Sequence, residues 1–216
     1  MAKWAVFDVD GTLYPPTSME KKYILYLLSH GYLPLRNIFY YALYACYYLI
    51  TRDWVEAFKN NKYYLKELPF KPVKENGGRF VREQVWPHIS KKGLQTIEKY
   101  RRLNYKILIM SGSPDFLTEV LAAQIKPNYL ITSRMQTSHG IFTGQLDGLH
   151  PYGHRKTQLL QVIFHNIRLD FKHSIVFANH DSDIDHMKLF GTAIAVNPRP
   201  KLKEYALKNR WPVEYW

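Results

Sequence analysis

The sequence predicts an α/β protein: a parallel sheet covered by helices on both faces, with an all-helical segment inserted after the first strand. Three observations predict it. Short apolar runs at 3–7, 105–110, 129–132, 174–178 and 193–196 have strand length and alternate with helical patterns beyond residue 86. Such alternation builds a parallel sheet through helical crossovers. Polar clusters follow several of these runs, and ligands on parallel sheets sit at the strands' carboxyl ends.

Length and composition bound the rest. A chain of 216 residues suits one medium domain, or a core with a small accessory domain. Its single cysteine, Cys46, excludes an internal disulfide and fits a reducing compartment. Acidic residues from Asp8 onward argue against a secretory leader, and no uncharged apolar run approaches the roughly 20 residues of a membrane span. The expected location is cytoplasmic. A formal charge of +12 and a pI near 9.6 imply attraction to anions. The basic residues are scattered, so nucleic acid is not an expected partner.

Taken in order, the first strand ends on Asp8-Val9-Asp10-Gly11-Thr12, and Pro15 and Pro16 stop any helix continuing it. Ser18 caps a helix over 19–29, and a second helix covers 35–51. Within the latter, 38–50 holds 13 residues without a charge. On a helical wheel Ile38, Phe39, Ala42, Leu43, Cys46, Leu49 and Ile50 share one arc, read as core. Tyr40, Tyr41, Tyr44, Tyr47 and Tyr48 share the other, which suits neighbouring helices, a substrate wall or a membrane-surface belt. Helices are expected at 53–65 and 74–85, and residues 15–85 carry eleven Lys/Arg against six Asp/Glu. Ser90 caps a helix to 102, helices follow at 116–124, from 154, at 183–189 and at 201–208, and a hairpin forms around Gly140 and Gly144.

The chemistry starts at Asp8 and Asp10. Alternate residues of a strand share a face, so both carboxylates point the same way, a repulsive arrangement unless a cation or proton intervenes. One carboxylate can attack phosphorus while the other manages protons. Ser111 follows the second strand, and with the N–H groups of Gly112 and Ser113 it suits a phosphate oxygen. Lys156 opens a helix directed to the same edge. Asp181 and Asp185, four apart, fall on one helical face; a second acidic strand end meeting Asp8 and Asp10 suits a hard cation such as Mg²⁺.

Together Asp8-Val9-Asp10-Gly11-Thr12, strand-Ser111-Gly112, Gly153-His154-Arg155-Lys156 and Asp181-Ser182-Asp183-Ile184-Asp185 resemble the four motifs of the haloacid dehalogenase (HAD) superfamily, in order. The insert is similar to the helical C1-type cap of its phosphoserine-phosphatase-like subfamily IB. The resemblance implies a Rossmann-like core over 1–14 and 86–216 and a cap over 15–85. It implies an Mg²⁺-dependent phosphatase working through an aspartyl phosphate on Asp8. Asp10 would move protons, Ser111, Gly112 and Lys156 would hold phosphate, and Asp8, the Asp10 carbonyl and Asp181 would bind Mg²⁺, supported by Asp185. The chain departs from the family pattern at His180 and Ile184. Thr17 stands where phosphoserine phosphatases carry a substrate-binding glutamate, and the nearest glutamate is Glu20, which argues against phosphoserine. The expected substrate is a small phosphorylated molecule. The alternatives are a lipid phosphate resembling phosphatidylglycerophosphate, handled at the inner face of an anionic membrane, and a non-catalytic protein that binds anions or nucleic acid.

Overall fold

The structure, a computed structural model, describes residues 1–16, 18–51 and 56–216. The position of Thr17 and the beginning of the helix expected at 53–65 lie outside the described residues. The chain runs through Trp4–Asp8 (β1), Met19–Ser29 (α1), Leu35–Thr51 (α2), Phe70–Phe80 (α3), Lys91–Arg102 (α4), Lys106–Pro114 (β2), Asp115–Ile125 (α5), Tyr129–Ser133 (β3), Met135–Ser138 (β4), Ile141–Leu146 (β5), His154–Ile167 (α6), Ile175–Ala178 (β6), Ile184–Met187 (α7), Thr192–Val196 (β7), Pro200–Lys208 (α8) and Val213–Glu214 (β8).

Six strands form one parallel sheet in the order β3-β2-β1-β6-β7-β8, and β4 and β5 form an antiparallel hairpin. This is a Rossmann-like α/β architecture, as the alternating pattern predicts. Strand β1 is buried along its whole length because both its faces are covered. Ala5 and Phe7 enter one core cluster and Trp4 and Val6 the other, so the period of two shows directly in the packing. Phe7 stacks on Phe177 of the neighbouring strand at 4.6 Å. Register positions the site: Asp8 pairs with Met110 and Phe7 with Phe177, so the residues that follow each strand leave the sheet at one edge.

Several elements differ from the sequence reading, each for a local reason. Helix α3 begins at Phe70 rather than 74, because Pro72 falls in its first turn, where no helical N–H is needed. The helix expected at 53–65 is instead a single wide turn at Glu56–Asn60 and a 3₁₀ turn at Tyr63–Leu65. Asn61 separates them: its side chain accepts from the Tyr63 N–H at 3.1 Å and donates to the Tyr41 carbonyl at 2.9 Å, so it competes with helical pairing. Strand β2 runs on to Pro114, with a register shift against β3 after Met110. The helix at 183–189 shrinks to α7, preceded by a 3₁₀ turn at Asp181–Asp183.

Helix α2 has the expected bounds but the opposite orientation. Its aliphatic arc, read as core, faces outward: Phe39 is 63% exposed, Leu43 53% and Ile50 85%. Its buried residues are Asn37 and Ala45. Asn37 donates to the Tyr64 and Lys66 carbonyls at 3.1 and 2.6 Å, Tyr44 stacks on Tyr63 at 3.4 Å, and Tyr41 meets Tyr64 edge-on. Periodicity could not settle the orientation, because both arcs are apolar; the buried asparagine and the stacked tyrosines do. Phe39→Ser, Leu43→Ser or Leu49→Ser is therefore expected to change the unfolding free energy by less than about 0.5 kcal/mol. Leu27→Ala, in the core, should remove about 2–5 kcal/mol. Urea denaturation of the four variants checks this, and a loss above about 2 kcal/mol at the outward positions would contradict the orientation.

Candidate active site

Asp8 closes β1, and the chain then turns tightly, the Thr12 and Tyr14 N–H groups both donating to the Val9 carbonyl. Gly11 is required twice. Its φ is +88°, and a Cβ there would stand 1.9 Å from the Asn179 side chain. The turn lets Thr12 donate to Asp8 Oδ2 at 3.1 Å. Asp10 is fixed from two sides: Oδ1 accepts from the Met19 N–H at the start of α1 at 2.6 Å, and Oδ2 from the Ser113 hydroxyl at 2.8 Å. Burial pushes the Asp10 carboxyl above its usual range, against those two hydrogen bonds.

The end of β2 supplies hydroxyls. Ser111 is fully buried, and its Oγ accepts from the Ser113 N–H at 3.1 Å, which leaves its own proton to donate. Ser113, which the sequence reading passed over as a hydroxyl, holds Asp10 directly. His150 is a second residue missed. It packs over Gly112, and its Nδ1 meets Ser133 Oγ, whose own proton goes to the Gly112 carbonyl at 2.7 Å. Nδ1 is therefore the donor. Burial and nearby lysines hold His150 well below the usual histidine range, so the ring is neutral with Nε2 as an acceptor. No spacing signal in the sequence pointed to it.

Lys156, in the first turn of α6, is buried between two carboxylates, 2.7 Å from Asp8 Oδ1 and 2.8 Å from Asp183 Oδ1. Asp183 corrects the sequence reading, which placed Asp181 and Asp185 at this edge. Because Asp181–Asp183 forms a 3₁₀ turn rather than the helix expected there, it is the middle acid of the motif that turns inward. Asp181 lies 3.2 Å from His180 and lines an adjoining cavity instead. Asp185 is on the surface, 3.6 Å from Lys188. His180 caps this turn, its Nδ1 accepting from the Ser182 N–H at 3.1 Å. Burial pushes Asp8 up to about 7 despite Lys156, while Lys156 holds Asp183 below its usual range.

Asp8, Asp10, Gly112, Ser113, Lys156, Asn179 and Asp183 line one cavity of about 360 Å³. Lys21, Lys59 and Arg199 also line it, and all three continue into a larger cavity of about 820 Å³ reaching Ile24, Tyr41 and Phe58. Lys59 sits 4.7 Å from the Tyr152 ring centroid, so the helical segment meets the core across the cavity. A buried carboxylate beside a lysine, hydroxyl donors and a cationic rim can hold and attack an anionic ester.

Fold and site together place the chain among Rossmann-like α/β hydrolases. It belongs to the haloacid dehalogenase-like hydrolases, whose family model matches residues 5–188. A phosphoserine phosphatase of Haemophilus influenzae is 25% identical over 113 residues, 52% of this chain and 35% of that protein. A solved protein of unknown function from Bordetella pertussis Tohama I superposes with a TM-score of 0.83 at 18% identity, over 99% of this chain and 98% of the other. A phospho-aspartyl intermediate analogue of phosphoserine phosphatase superposes with a TM-score of 0.66 at 18% identity, over 99% and 93%. The chain spans about a third to a half of the length of the first curated relatives it matches.

Two stability predictions follow from the geometry. Gly11→Ala is expected to cost about 2 kcal/mol or more in urea denaturation, because strain and the Asn179 contact add. Asp8 takes up its proton at about 7 in the folded chain against 3.8 as a free side chain. The native state thus binds more protons across that window, and stability is lost as pH rises through it. Without divalent metal, Asp8→Asn should be more stable than the parent above pH 7, with the gap closing below about pH 4. A gap independent of pH would contradict a burial penalty on the Asp8 carboxylate that outweighs its pairing with Lys156.

Proposed function

We propose that this hydrolase cleaves phosphate monoesters in two steps, with the Asp8 carboxylate as nucleophile and Asp10 as proton carrier. The observation that carries this reading is the convergence of Asp8, Asp10, Ser113 and Lys156 on one cavity at the sheet's carboxyl edge. In the first step an Asp8 oxygen bonds to phosphorus, the bond from phosphorus to the leaving oxygen breaks, and the Asp10 carboxyl gives that oxygen its proton. Burial keeps Asp10 protonated to a higher pH than usual, as an acid requires. In the second step the Asp10 carboxylate takes a proton from water, the hydroxide attacks phosphorus, and the bond to Asp8 breaks. Phosphate leaves with Asp8 restored. Ser111, the Gly112 backbone and Lys156 hold the phosphate oxygens, which Lys156 reaches from its place beside Asp8.

The donor set fits a hard divalent cation. Asp8, Asp10 and Asp183 bring three buried or half-buried carboxyls to one cavity, and burial raises Asp8 even with Lys156 in contact, so the pocket favours a further positive charge. Among the described residues no three His, Cys, Asp or Glu side chains group as a metal cluster. The Asp8 carboxylate, the Asp10 carbonyl and the Asn179 side-chain oxygen, oxygen donors of residues lining this cavity, would hold Mg²⁺. Bound there, Mg²⁺ would neutralise charge on the phosphate. In this reading residues 15–85 form a cap over a core of 1–14 and 86–216, and Lys59 meets Tyr152 across the cavity between them.

Glu20 bears on the substrate. It lines both cavities, but Lys62 donates to both its oxygens at 2.7 Å and Tyr64 donates at 3.0 Å. A carboxylate so occupied offers nothing to a substrate ammonium, whereas Lys21, Lys59 and Arg199 face the cavity. The preferred ester therefore has an anionic or neutral leaving group without an ammonium, unlike phosphoserine. With p-nitrophenyl phosphate and Mg²⁺, Asp8→Asn should abolish turnover and Asp10→Asn should lower kcat by about 10²–10⁴. Chelation should silence the parent and Mg²⁺ restore it. Robust turnover by Asp8→Asn would refute the nucleophile. Lys62→Met frees Glu20 and is expected to raise kcat/KM for phosphoserine relative to phosphoglycolate by about tenfold; an unchanged ratio would remove Glu20 from substrate selection.

A further inference from the structure

Helix α2 is built inside out. Toward the protein it presents Asn37, Tyr41 and Tyr44; toward the outside it presents Leu35, Phe39, Leu43, Leu49 and Ile50, each more than half exposed. An isolated exposed leucine means little, but a contiguous aliphatic face of this extent marks a surface that something covers. The structure shows what holds the helix in that orientation: the two Asn37 hydrogen bonds and the Tyr44–Tyr63 stack fix the polar side inward.

We infer that this face docks the protein on an anionic lipid bilayer, with α2 lying in the plane of the headgroup and acyl-chain boundary. Charge selects that occupant over a second copy of the chain. Helix α2 has no acidic residue and one charge, Arg36, and it belongs to a segment with an excess of Lys/Arg inside a chain of net charge +12. Two copies meeting on this face would oppose like charge, whereas an anionic surface complements it. Geometry selects surface docking over spanning. Seventeen residues make a helix of about 25 Å, and no described helix is long and apolar enough to cross a membrane. Tyr47, exposed beside the aliphatic arc, has the amphipathic ring favoured at such an interface. The inference stands on the exposed face of α2 and the basic charge of the chain, and it holds whether or not Asp8 is a nucleophile.

The test uses the full chain, vesicles of phosphatidylcholine with about one-third phosphatidylserine, and vesicles of phosphatidylcholine alone. Cys46, the chain's one cysteine, is exposed on the same arc and takes an environment-sensitive fluorophore. Co-sedimentation with the anionic vesicles and a blue shift of the Cys46 probe are expected. The combined variant Phe39→Ser, Leu43→Ser, Leu49→Ser should lose about tenfold or more in partitioning, with melting temperature and hydrolysis of a soluble aryl phosphate unchanged. Three results would overturn the inference: no binding to either vesicle, binding with the probe unshifted and the triple variant equally bound, or a concentration-dependent dimer that the same substitutions abolish. Because aryl phosphate hydrolysis is read separately, failure to dock and failure of the phosphatase reading are told apart.

Discussion

One buried ammonium group organises this molecule. Lys156 lies between Asp8 and Asp183 with almost no access to solvent, so each of the three groups would be an uncompensated buried charge without the others. The three residues come from β1, α6 and the turn after β6, and their contact ties those elements together at one edge of the sheet. The arrangement is not neutral: two carboxylates share one cation, and Asp10 adds a third nearby. That surplus is what makes the edge a place for chemistry, since a cation, a proton or a phosphoryl group with its counter-ion relieves it.

Much of this was legible in the sequence because it depends on local pattern. Strand β1 and helices α1 and α2 follow from apolar runs and a serine cap, and α1 and α2 have the bounds read from the sequence. Asp8, Asp10, Ser111, Gly112 and Lys156 meet because each stands where a strand ends or a helix begins on the shared edge. What was not legible depends on turn geometry and on contacts distant in sequence. A spacing of four singles out Asp181 and Asp185 on paper; the 3₁₀ turn instead brings Asp183 inward. Ser113 and His150 owe their positions to Asp10 and Ser133, which no periodicity reveals.

The helical segment shows the same limit in another form. A helix with two apolar arcs can bury either one, and for α2 the choice is made by Asn37 and by tyrosines stacking on Tyr63 and Tyr64, not by hydrophobicity. Tyr41 and Tyr44 pack on neighbouring elements, one of the readings their arc allowed, while Tyr47 is exposed and the aliphatic residues read as core are outside. Lys62, nearly all of it buried, is likewise invisible as a specificity element until its ion pair with Glu20 is seen. The segment thus carries two features that the core does not dictate: a neutralised glutamate facing the cavity and an apolar face turned away from it.

The central claim is that Asp8 becomes covalently bonded to phosphorus. Rapid acid quench of the enzyme during turnover of a phosphate ester, followed by mass spectrometry of the peptides, tests it most directly. The account predicts a phosphoryl adduct on Asp8, which accumulates in Asp10→Asn with p-nitrophenyl phosphate, whose leaving group departs without a proton while hydrolysis of the intermediate is slowed. Turnover with no adduct on Asp8, or with the phosphoryl group on another side chain, would contradict it.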